Sequence, residues 1–310
     1  MYQIDFNHPI HIHFIGIGGI SMSGLAEILL SRGFPVSGSD RNRSALTDKL
    51  EQEGVTVFHR QTPENITDDI DLVVYTAAIH SDNPEYAAVV AKGIPALTRA
   101  QLLGQIMRNY KIPMAVSGTH GKTTTTSMIS EILMKAETDP TISVGGILRS
   151  IGGNIRIGKS DYFVTEACEY TNSFLSFFPK IGLILNVEED HLDFFHDIHE
   201  IRESFHRFAS LLPADGLLIV NGGIEGLSVI TERLSCPVIT YGKDSSCDYF
   251  YTDLAFDELA RPTFTLHDNK GRSETVTLSV SGEHNVSNAV AALALSDALS
   301  LDRKSTRLNS

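Results

Sequence analysis

Short apolar runs alternate along this chain with longer stretches in which apolar residues recur every third or fourth position. Buried strands and amphipathic helices produce these two patterns. His11 to Ile17 reads as a buried strand, and Ser21 to Arg32 as a helix closed by Gly33. A strand at Pro35–Asp40, a helix at Ser44–Glu53, strands at Val55–Phe58 and Leu72–Thr76, and a helix at Glu85–Lys92 follow. The βαβ alternation predicts a mostly parallel, doubly wound sheet. Arg99–Met107 reads as a further helix, and the polar Arg108-Asn-Tyr-Lys111 as a joint between domains. A second α/β series then opens with a strand at Ile112–Val116 and includes strands at Asp161–Thr165, Ile181–Asn186, Leu217–Asn221 and Pro237–Tyr241. From Asp248 to Val280 alternating Thr, Phe, Leu and Val predict an antiparallel patch. A last helix spans Asn285 to Leu299. The expected organisation is a parallel α/β domain over 1–110 and a second α/β domain with an antiparallel patch over 111–301. Residues 302–310 lack apolar periodicity and read as a frayed terminus or as non-native sequence.

Two glycine clusters sit where strands give way to helices. Val116-Ser-Gly-Thr-His-Gly-Lys-Thr-Thr-Thr-Thr126 has the strand–loop–helix context of a phosphate-binding loop. Gly118 and Gly121 let backbone N–H groups converge on an anion, and the helix N-terminus adds partial positive charge. Lys122 would reach the terminal phosphates and the Thr123 hydroxyl would ligate Mg²⁺. Valine stands at 116, where the usual eight-residue pattern has glycine, so the loop is a variant. Ile15-Gly-Ile-Gly-Gly-Ile-Ser-Met-Ser-Gly24 ends the first strand, where a GxG lets the backbone approach a diphosphate. Asp40, ending the second strand, is placed to accept a ribose or base hydrogen bond. Alone, this cluster fits a dinucleotide oxidoreductase or a tight turn without ligand. A second nucleotide loop one domain later favours two different nucleotides.

Composition narrows the class without naming it. The 310 residues are 42% hydrophobic and 20% charged, as in ordinary globular proteins. The net charge, 25 − 38 = −13, argues against broad nucleic-acid or anionic-membrane binding, but not against a phosphate held by one local loop. No apolar stretch reaches membrane-spanning length and no basic-then-apolar leader begins the chain. The three cysteines, Cys168, Cys236 and Cys247, form no CxxC pair, which suits a reducing compartment, the cytoplasm by default.

Three more polar clusters fall at or after strands. Thr165-Glu-Ala-Cys-Glu169 places Glu166 to hold Mg²⁺ facing the phosphate loop. Asn186-Val-Glu-Glu-Asp-His-Leu-Asp193 follows a strand and sends Asp190, His191 and Asp193 toward the same crevice. Gly282-Glu-His-Asn-Val-Ser-Asn288 opens the last helix, where His284, Asn285 and Asn288 cap it or contact a purine.

With these motifs the chain resembles the Mur ligases, the ATP-dependent amide-forming enzymes of bacterial peptidoglycan precursor synthesis. The resemblance spans about residues 10 to 300. It is carried by GIGGxxMSG at Gly16–Gly24, SGSD at Ser37–Asp40, DNPE at Asp82–Glu85 and GTHGKTTTT at Gly118–Thr126. EAxE at Glu166–Glu169, NxxxDHLD at Asn186–Asp193 and GxHNxxN at Gly282–Asn288 complete it. The Ile20-Ser-Met-Ser-Gly24 segment is closest to the alanine-adding members. Glu-Ala-Cys-Glu-Tyr-Thr departs from the commoner Glu-Ala-Asp-Glu-Ser-Asp.

The family resemblance implies an N-terminal Rossmann-like domain binding a UDP-sugar through Gly16, Gly18, Gly19, Ser21, Met22, Ser23 and Asp40. It implies a central P-loop-type ATPase domain binding ATP through Gly118, Thr119, His120, Gly121, Lys122, Thr123, Thr124, His284, Asn285 and Asn288. Lys122, Glu166 and His191 would be catalytic, with Thr123, Glu166 and His191 at the metal. It further implies a third, C-terminal domain helping to bind the amino acid, which these residues do not include. The implied reaction joins L-alanine to the carboxylate of UDP-N-acetylmuramate through an acyl phosphate. Rival readings are a related ligase adding a recycled peptide to the same sugar, a non-catalytic UDP-sugar binder, and an NAD(P) oxidoreductase.

Overall fold

The structure is a computed structural model that describes residues 2–301; the expectation for 302–310 lies outside them. The chain divides after Asn109 into two compact units. In the first, β1 (Ile12–Ile15), α1 (Ile20–Ser31), β2 (Val36–Ser39), α2 (Ala45–Gln52), β3 (Thr56–Phe58), β4 (Leu72–Tyr75), α3 (Pro84–Lys92), β5 (Ala96–Thr98) and α4 (Arg99–Met107) succeed one another. Among the described residues its five strands lie in the order β3-β2-β1-β4-β5, and every pairing is parallel. This 3-2-1-4-5 order is that of a Rossmann-like half, with the strand order reversing between β1 and β4. Local chemistry sets the helix ends. Ser44 and Thr98 form capping boxes, and Asn83 caps α3 with Pro84 at its first position.

The second unit contains β6 (Ile112–Ser117), α5 (Lys122–Lys135), β7 (Thr141–Leu148), β8 (Gly153–Arg156), β9 (Tyr162–Glu166) and β10 (Ile181–Ile184). It continues with α6 (Ile198–Ala209), β11 (Leu217–Asn221), α7 (Leu227–Thr231), β12 (Val238–Gly242), β13 (Tyr249–Phe256), β14 (Pro262–Asp268), β15 (Ser273–Thr277) and α8 (His284–Ala298). Among the described residues ten strands form one sheet, ordered β15-β14-β13-β12-β11-β10-β6-β9-β7-β8. The pairings from β7 to β13 are parallel, and β13, β14 and β15 make the expected antiparallel patch. β6 and β10 read as unbroken apolar runs because both faces are covered; Met114, Val116 and Leu183 are fully buried. On one side α5 packs with α8, so Met128, Ile129, Ile132 and Leu133 share a core with Val286, Val290 and Leu293.

Five elements had no counterpart in the expected pattern: β5, β7, β8, α6 and α7. β7 and β8 form an antiparallel hairpin with a register shift between Ser143 and Leu148. Helix α6 starts at an Asp197 cap and buries Ile201, Phe205 and Phe208. Its signal was present in the chain as Asp197 followed by Glu200 and helically spaced apolar residues. Among the described residues no helix is long and apolar enough to cross a membrane.

Phe174, fully buried, stacks on Phe208 of α6 at 4.8 Å and meets Phe205 edge-on at 5.5 Å. It anchors the short helical turn at Tyr170–Ser176. Phe174→Ala should lower unfolding free energy by about 3–5 kcal/mol, read as a shift of the urea midpoint. A midpoint equal to wild type would show that this anchor is dispensable.

Candidate phosphate-loop site

The C-terminal ends of three parallel strands build the site. β6 lies between β9 and β10, with Val116 opposite Glu166 and Ser117 opposite Ile184. The pairing continues past the strand ends. Ala167 N–H donates to Val116 at 2.8 Å, Leu185 N–H to Ser117 at 3.0 Å and Thr119 N–H to Asn186 at 3.2 Å. The loop from β6, the segment after β9 and the segment after β10 therefore emerge at one edge. Val116 is an ordinary buried strand residue here, and the loop begins at Gly118. Gly118 has φ +143°, and a Cβ there would lie 3.0 Å from Leu185 Cβ, so neither the torsion nor the space suits another residue.

Asn186 clamps the loop from outside. Its Oδ1 accepts from His120 N–H at 2.7 Å and its Nδ2 donates to the His120 carbonyl at 3.0 Å. Thr119, buried, accepts Glu188 N–H on its hydroxyl at 3.0 Å. The His120 ring points to solvent, 3.7 Å from Glu188 Oε2. Gly121, left-handed at φ 84°, is the N-cap of α5. The leading N–H groups of such a helix have no partner within it and favour an anion.

Lys122 is held on the loop. Its Nζ donates to the Gly118 carbonyl at 2.5 Å and the Thr119 carbonyl at 3.2 Å, and to both oxygens of Glu169 at 2.9 and 3.1 Å. The Lys122 side chain is 18% exposed and that of Glu169 only 3%. Beside it the Thr123 hydroxyl donates to Glu166 Oε2 at 3.0 Å, while Gly145 N–H of β7 donates to Glu166 Oε1 at 2.6 Å. His191 stands next to Glu169, its Nε2 3.7 Å from Glu169 Oε1. Its ring lies 4.6 Å from that of Tyr170, whose hydroxyl donates to Asp193 at 2.8 Å. That hydrogen bond and the Asp193 charge raise the Tyr170 hydroxyl above its usual pKa and keep it a donor. Among the described residues no group of three or more His, Cys, Asp and Glu side chains is arranged to hold a metal ion.

The other expected nucleotide residues divide. Asn288, buried, abuts the loop: a Cβ on Gly121 would lie 2.7 Å from its Oδ1. Asn285 accepts from Asn288 Nδ2 at 3.1 Å and reaches back to the Ser281 carbonyl, while His284 is exposed. Glu283, the N-cap of α8, makes no side-chain capping hydrogen bond. Thr124 borders a small apolar cleft of about 190 Å³ with Met128, Leu148 and Leu278.

In the first unit a cleft of about 510 Å³ opens at the strand-order reversal, lined by Gly16, Gly19, Asp40, Arg41, Gln61 and Asn83 among others. Asp40 also ties the loop, accepting Gly18 N–H at 2.9 Å. Ser21 is half-buried near the start of α1; Met22 and Ser23 are buried in that helix, and the Ser23 hydroxyl donates to the Ile20 carbonyl. Sequence reasoning had passed over Arg41, Gln61 and Asn83, which are linked because Gln61 Oε1 accepts from Arg41 Nε and Asn83 Nδ2. It had also passed over Glu169 and Asn186 as side chains of the site, although both stand in quoted motifs.

A doubly wound sheet with a lysine-bearing glycine loop at the edge of its central strand defines a P-loop-type α/β protein joined to a Rossmann-like unit. The chain belongs to the Mur ligase family: residues 116–296 match the Mur ligase middle domain, and residues 11–111 match the Mur ligase family, catalytic domain. It is 61% identical over 303 residues to the UDP-N-acetylmuramate–L-alanine ligase of Lachnospira eligens, covering 97% of this chain and 66% of that protein. It is 50% identical over 297 residues to the enzyme of the same name from Acetivibrio thermocellus, covering 96% of this chain and 63% of that protein. The chain thus spans just under two thirds of the length of these relatives. Among solved structures it is similar to the UDP-N-acetylmuramate-alanine ligase of Thermotoga maritima, with TM-score 0.79 and 30% identity over 96% of this chain and 67% of that one. A second is the UDP-N-acetylmuramate:L-alanyl-gamma-D-glutamyl-meso-diaminopimelate ligase of Neisseria meningitides, with TM-score 0.85 and 27% identity over 97% of each chain.

The Asn186 clamp has a direct readout. Asn186→Ala removes both side-chain bonds to His120 and should speed amide hydrogen exchange at His120, leaving the β6 amides protected. Unchanged exchange at His120 would show that the clamp does not hold the loop.

Proposed function

We propose that the protein is an ATP-dependent ligase that joins L-alanine to the carboxylate of UDP-N-acetylmuramate. The observation that carries this reading is the placement of Lys122 and the Thr123–Glu166 pair side by side at the edge of β6 and β9. The family assignment and the names of relatives at 61% and 50% identity support it.

The chemistry explains why such a site is needed. A carboxylate must attack the γ-phosphorus of ATP; the bond from γ-phosphorus to the bridging oxygen breaks and ADP leaves. The alanine amine then attacks the acyl carbon, the bond from that carbon to the phosphate oxygen breaks with its electron pair leaving on inorganic phosphate, and the amine loses a proton. Two like unit charges about 4 Å apart repel by roughly 1 kcal/mol in water and roughly 4 kcal/mol at an effective dielectric of 20. Bringing a carboxylate to a polyphosphate therefore needs fixed positive charge. Lys122 supplies one such charge, and the leading N–H groups of α5 add to it.

A magnesium ion fits the residues present. Thr123 Oγ1 and Glu166 Oε2 are hard oxygen donors 3.0 Å apart, and Mg²⁺ takes one or two protein oxygens while phosphates and water fill its other positions. When bound there, it would neutralise charge on the phosphate oxygens. Glu166 is oriented for this by Gly145 N–H. His191 stands beside the same carboxylate that Lys122 contacts, with Nε2 3.7 Å from Glu169 Oε1. We assign the cleft of the first unit to the UDP-sugar, with Gly16, Gly19 and Asp40 at its floor and Arg41 as its cationic side chain.

In the intact protein, Lys122→Ala should abolish alanine-dependent ADP formation while UDP-N-acetylmuramate binding, followed by titration calorimetry, stays within twofold of wild type. Retained turnover would refute the assignment. Turnover with a tripeptide in place of alanine would move the reading to the recycled-peptide ligases, and sugar binding without any ADP formation by wild type would leave a binding protein.

A further inference from the structure

Glu169 belongs to the EAxE motif but lies outside the donor pair made by Thr123 and Glu166. One buried carboxylate stands between the lysine of the phosphate loop and the histidine that follows β10. Both of its oxygens receive Lys122 Nζ, at 2.9 and 3.1 Å, and Oε1 lies 3.7 Å from His191 Nε2. The other contacts of the ammonium are carbonyls of its own loop, Gly118 and Thr119.

The backbone around this carboxylate is held against its preferences. Thr171, Asn172 and His191 have φ of 53°, 58° and 53°, in the left-handed region that residues with a Cβ seldom occupy. Such residues persist where surrounding contacts over-determine them. Those contacts are visible: Asn172 Oδ1 accepts from the Ser204 hydroxyl of α6, Phe174 stacks beneath, and Tyr170 packs its ring on His191. Glu169 is therefore a rigid anchor, whereas a lysine side chain carries much rotamer freedom until something holds its ammonium.

We propose that Glu169 is a positioning residue of the phosphate loop, presetting the Lys122 ammonium where a nucleoside triphosphate meets it. The proposal rests on the nucleotide reading above. Glu169 acts through Lys122 and does not itself touch the nucleotide. Lys122 arrives at the phosphates already oriented, so little ordering remains to be done on binding. A carboxylate that merely competed with phosphate for Lys122 would have the opposite effect, because its removal would free the ammonium and tighten binding.

The test is MgATP affinity by titration calorimetry on the intact protein, with ATP carried to millimolar concentration, for wild type, Glu169→Gln, Glu169→Asp, Lys122→Ala and the Lys122→Ala/Glu169→Gln double variant. UDP-N-acetylmuramate affinity serves as the control ligand, and thermal unfolding as the check on folding. Glu169→Gln should weaken MgATP roughly ten- to hundredfold, the worth of a charge-assisted hydrogen bond, and leave the UDP-sugar unaffected. Glu169→Asp should weaken it less, since the charge is kept and only the reach is lost. In the Lys122→Ala background Glu169→Gln should add nothing, which a general structural role could not produce. Equal or tighter MgATP binding by Glu169→Gln, or losses that multiply in the double variant, would overturn the proposal. Should Glu169→Gln fail to fold, Glu169→Asp decides by the same comparison. Absence of MgATP binding by wild type would instead bring down the nucleotide reading itself.

Discussion

The parallel pairing of β6 with β9 on one side and β10 on the other is the constraint from which the site follows. A parallel register brings strand ends of like direction to the same edge, so whatever follows each strand meets whatever follows its neighbours. Here the chain after β6 is the glycine loop, the chain after β9 runs from Glu166 to Glu169, and the chain after β10 carries Asn186 and His191. These segments are tens of residues apart in sequence, yet the Lys122–Glu169, Thr123–Glu166 and His120–Asn186 bonds all arise from this register. A slip of one residue in the β6–β9 pairing would separate Lys122 from Glu169 and Thr123 from Glu166, and a slip in the β6–β10 pairing would separate His120 from Asn186. The buried apolar runs of β6 and β10 are therefore as necessary to the site as its polar groups.

Charge at this edge is arranged locally against the sign of the whole. The chain carries a net charge of −13, and acidic residues cluster at this edge: Glu166 ends β9, Glu169 follows it, and Glu188 and Asp190 follow β10. A polyphosphate is accepted in such a setting only if the few positive groups are fixed and the negative ones are occupied. Both conditions hold for the two inner carboxylates. Glu166 is engaged by Thr123 and Gly145 N–H, and Glu169 by Lys122. Burial makes the second pairing consequential, because a carboxylate only 3% exposed has little water to screen it and depends on its partner.

The fold was largely legible in the chain because it is built from strong local signals. Apolar runs marked β1, β4, β6, β10 and β11, and stretches with helically spaced apolar residues marked α1 to α5 and α8, most within a residue or two of where the structure has them. The phosphate loop was legible for the same reason, being one contiguous stretch after a strand. The side chains that hold it were not. Nothing local distinguishes Glu169 from an exposed acidic residue until the β6–β9 register puts it under Lys122, and Asn186 becomes a clamp only through the β6–β10 register. Met22 and Ser23 illustrate the converse. They adjoin the first glycine cluster in sequence, but α1 begins at Ile20 and turns both into its buried face.

β7, one of the strands that sequence reasoning passed over, shows why local rules fail at a site. Its interior glycines weaken it as a strand, since they add no packing and cost more backbone entropy. A Cβ at Gly145 would lie 3.0 Å from Glu166 Oε2, while the Gly145 N–H donates to Glu166 Oε1. The glycine therefore lets the backbone of β7 approach the carboxylate closely enough to orient it, at the expense of the pattern that would have announced the strand. Natural sequences depart from local consistency mainly where function requires it. By that criterion the glycine in β7 and the left-handed Thr171, Asn172 and His191 belong together. Each departure lies next to a group that holds Lys122 or Glu166, so the weakened and strained backbone in this part of the second unit gathers around the Lys122–Glu169 and Thr123–Glu166 pairs.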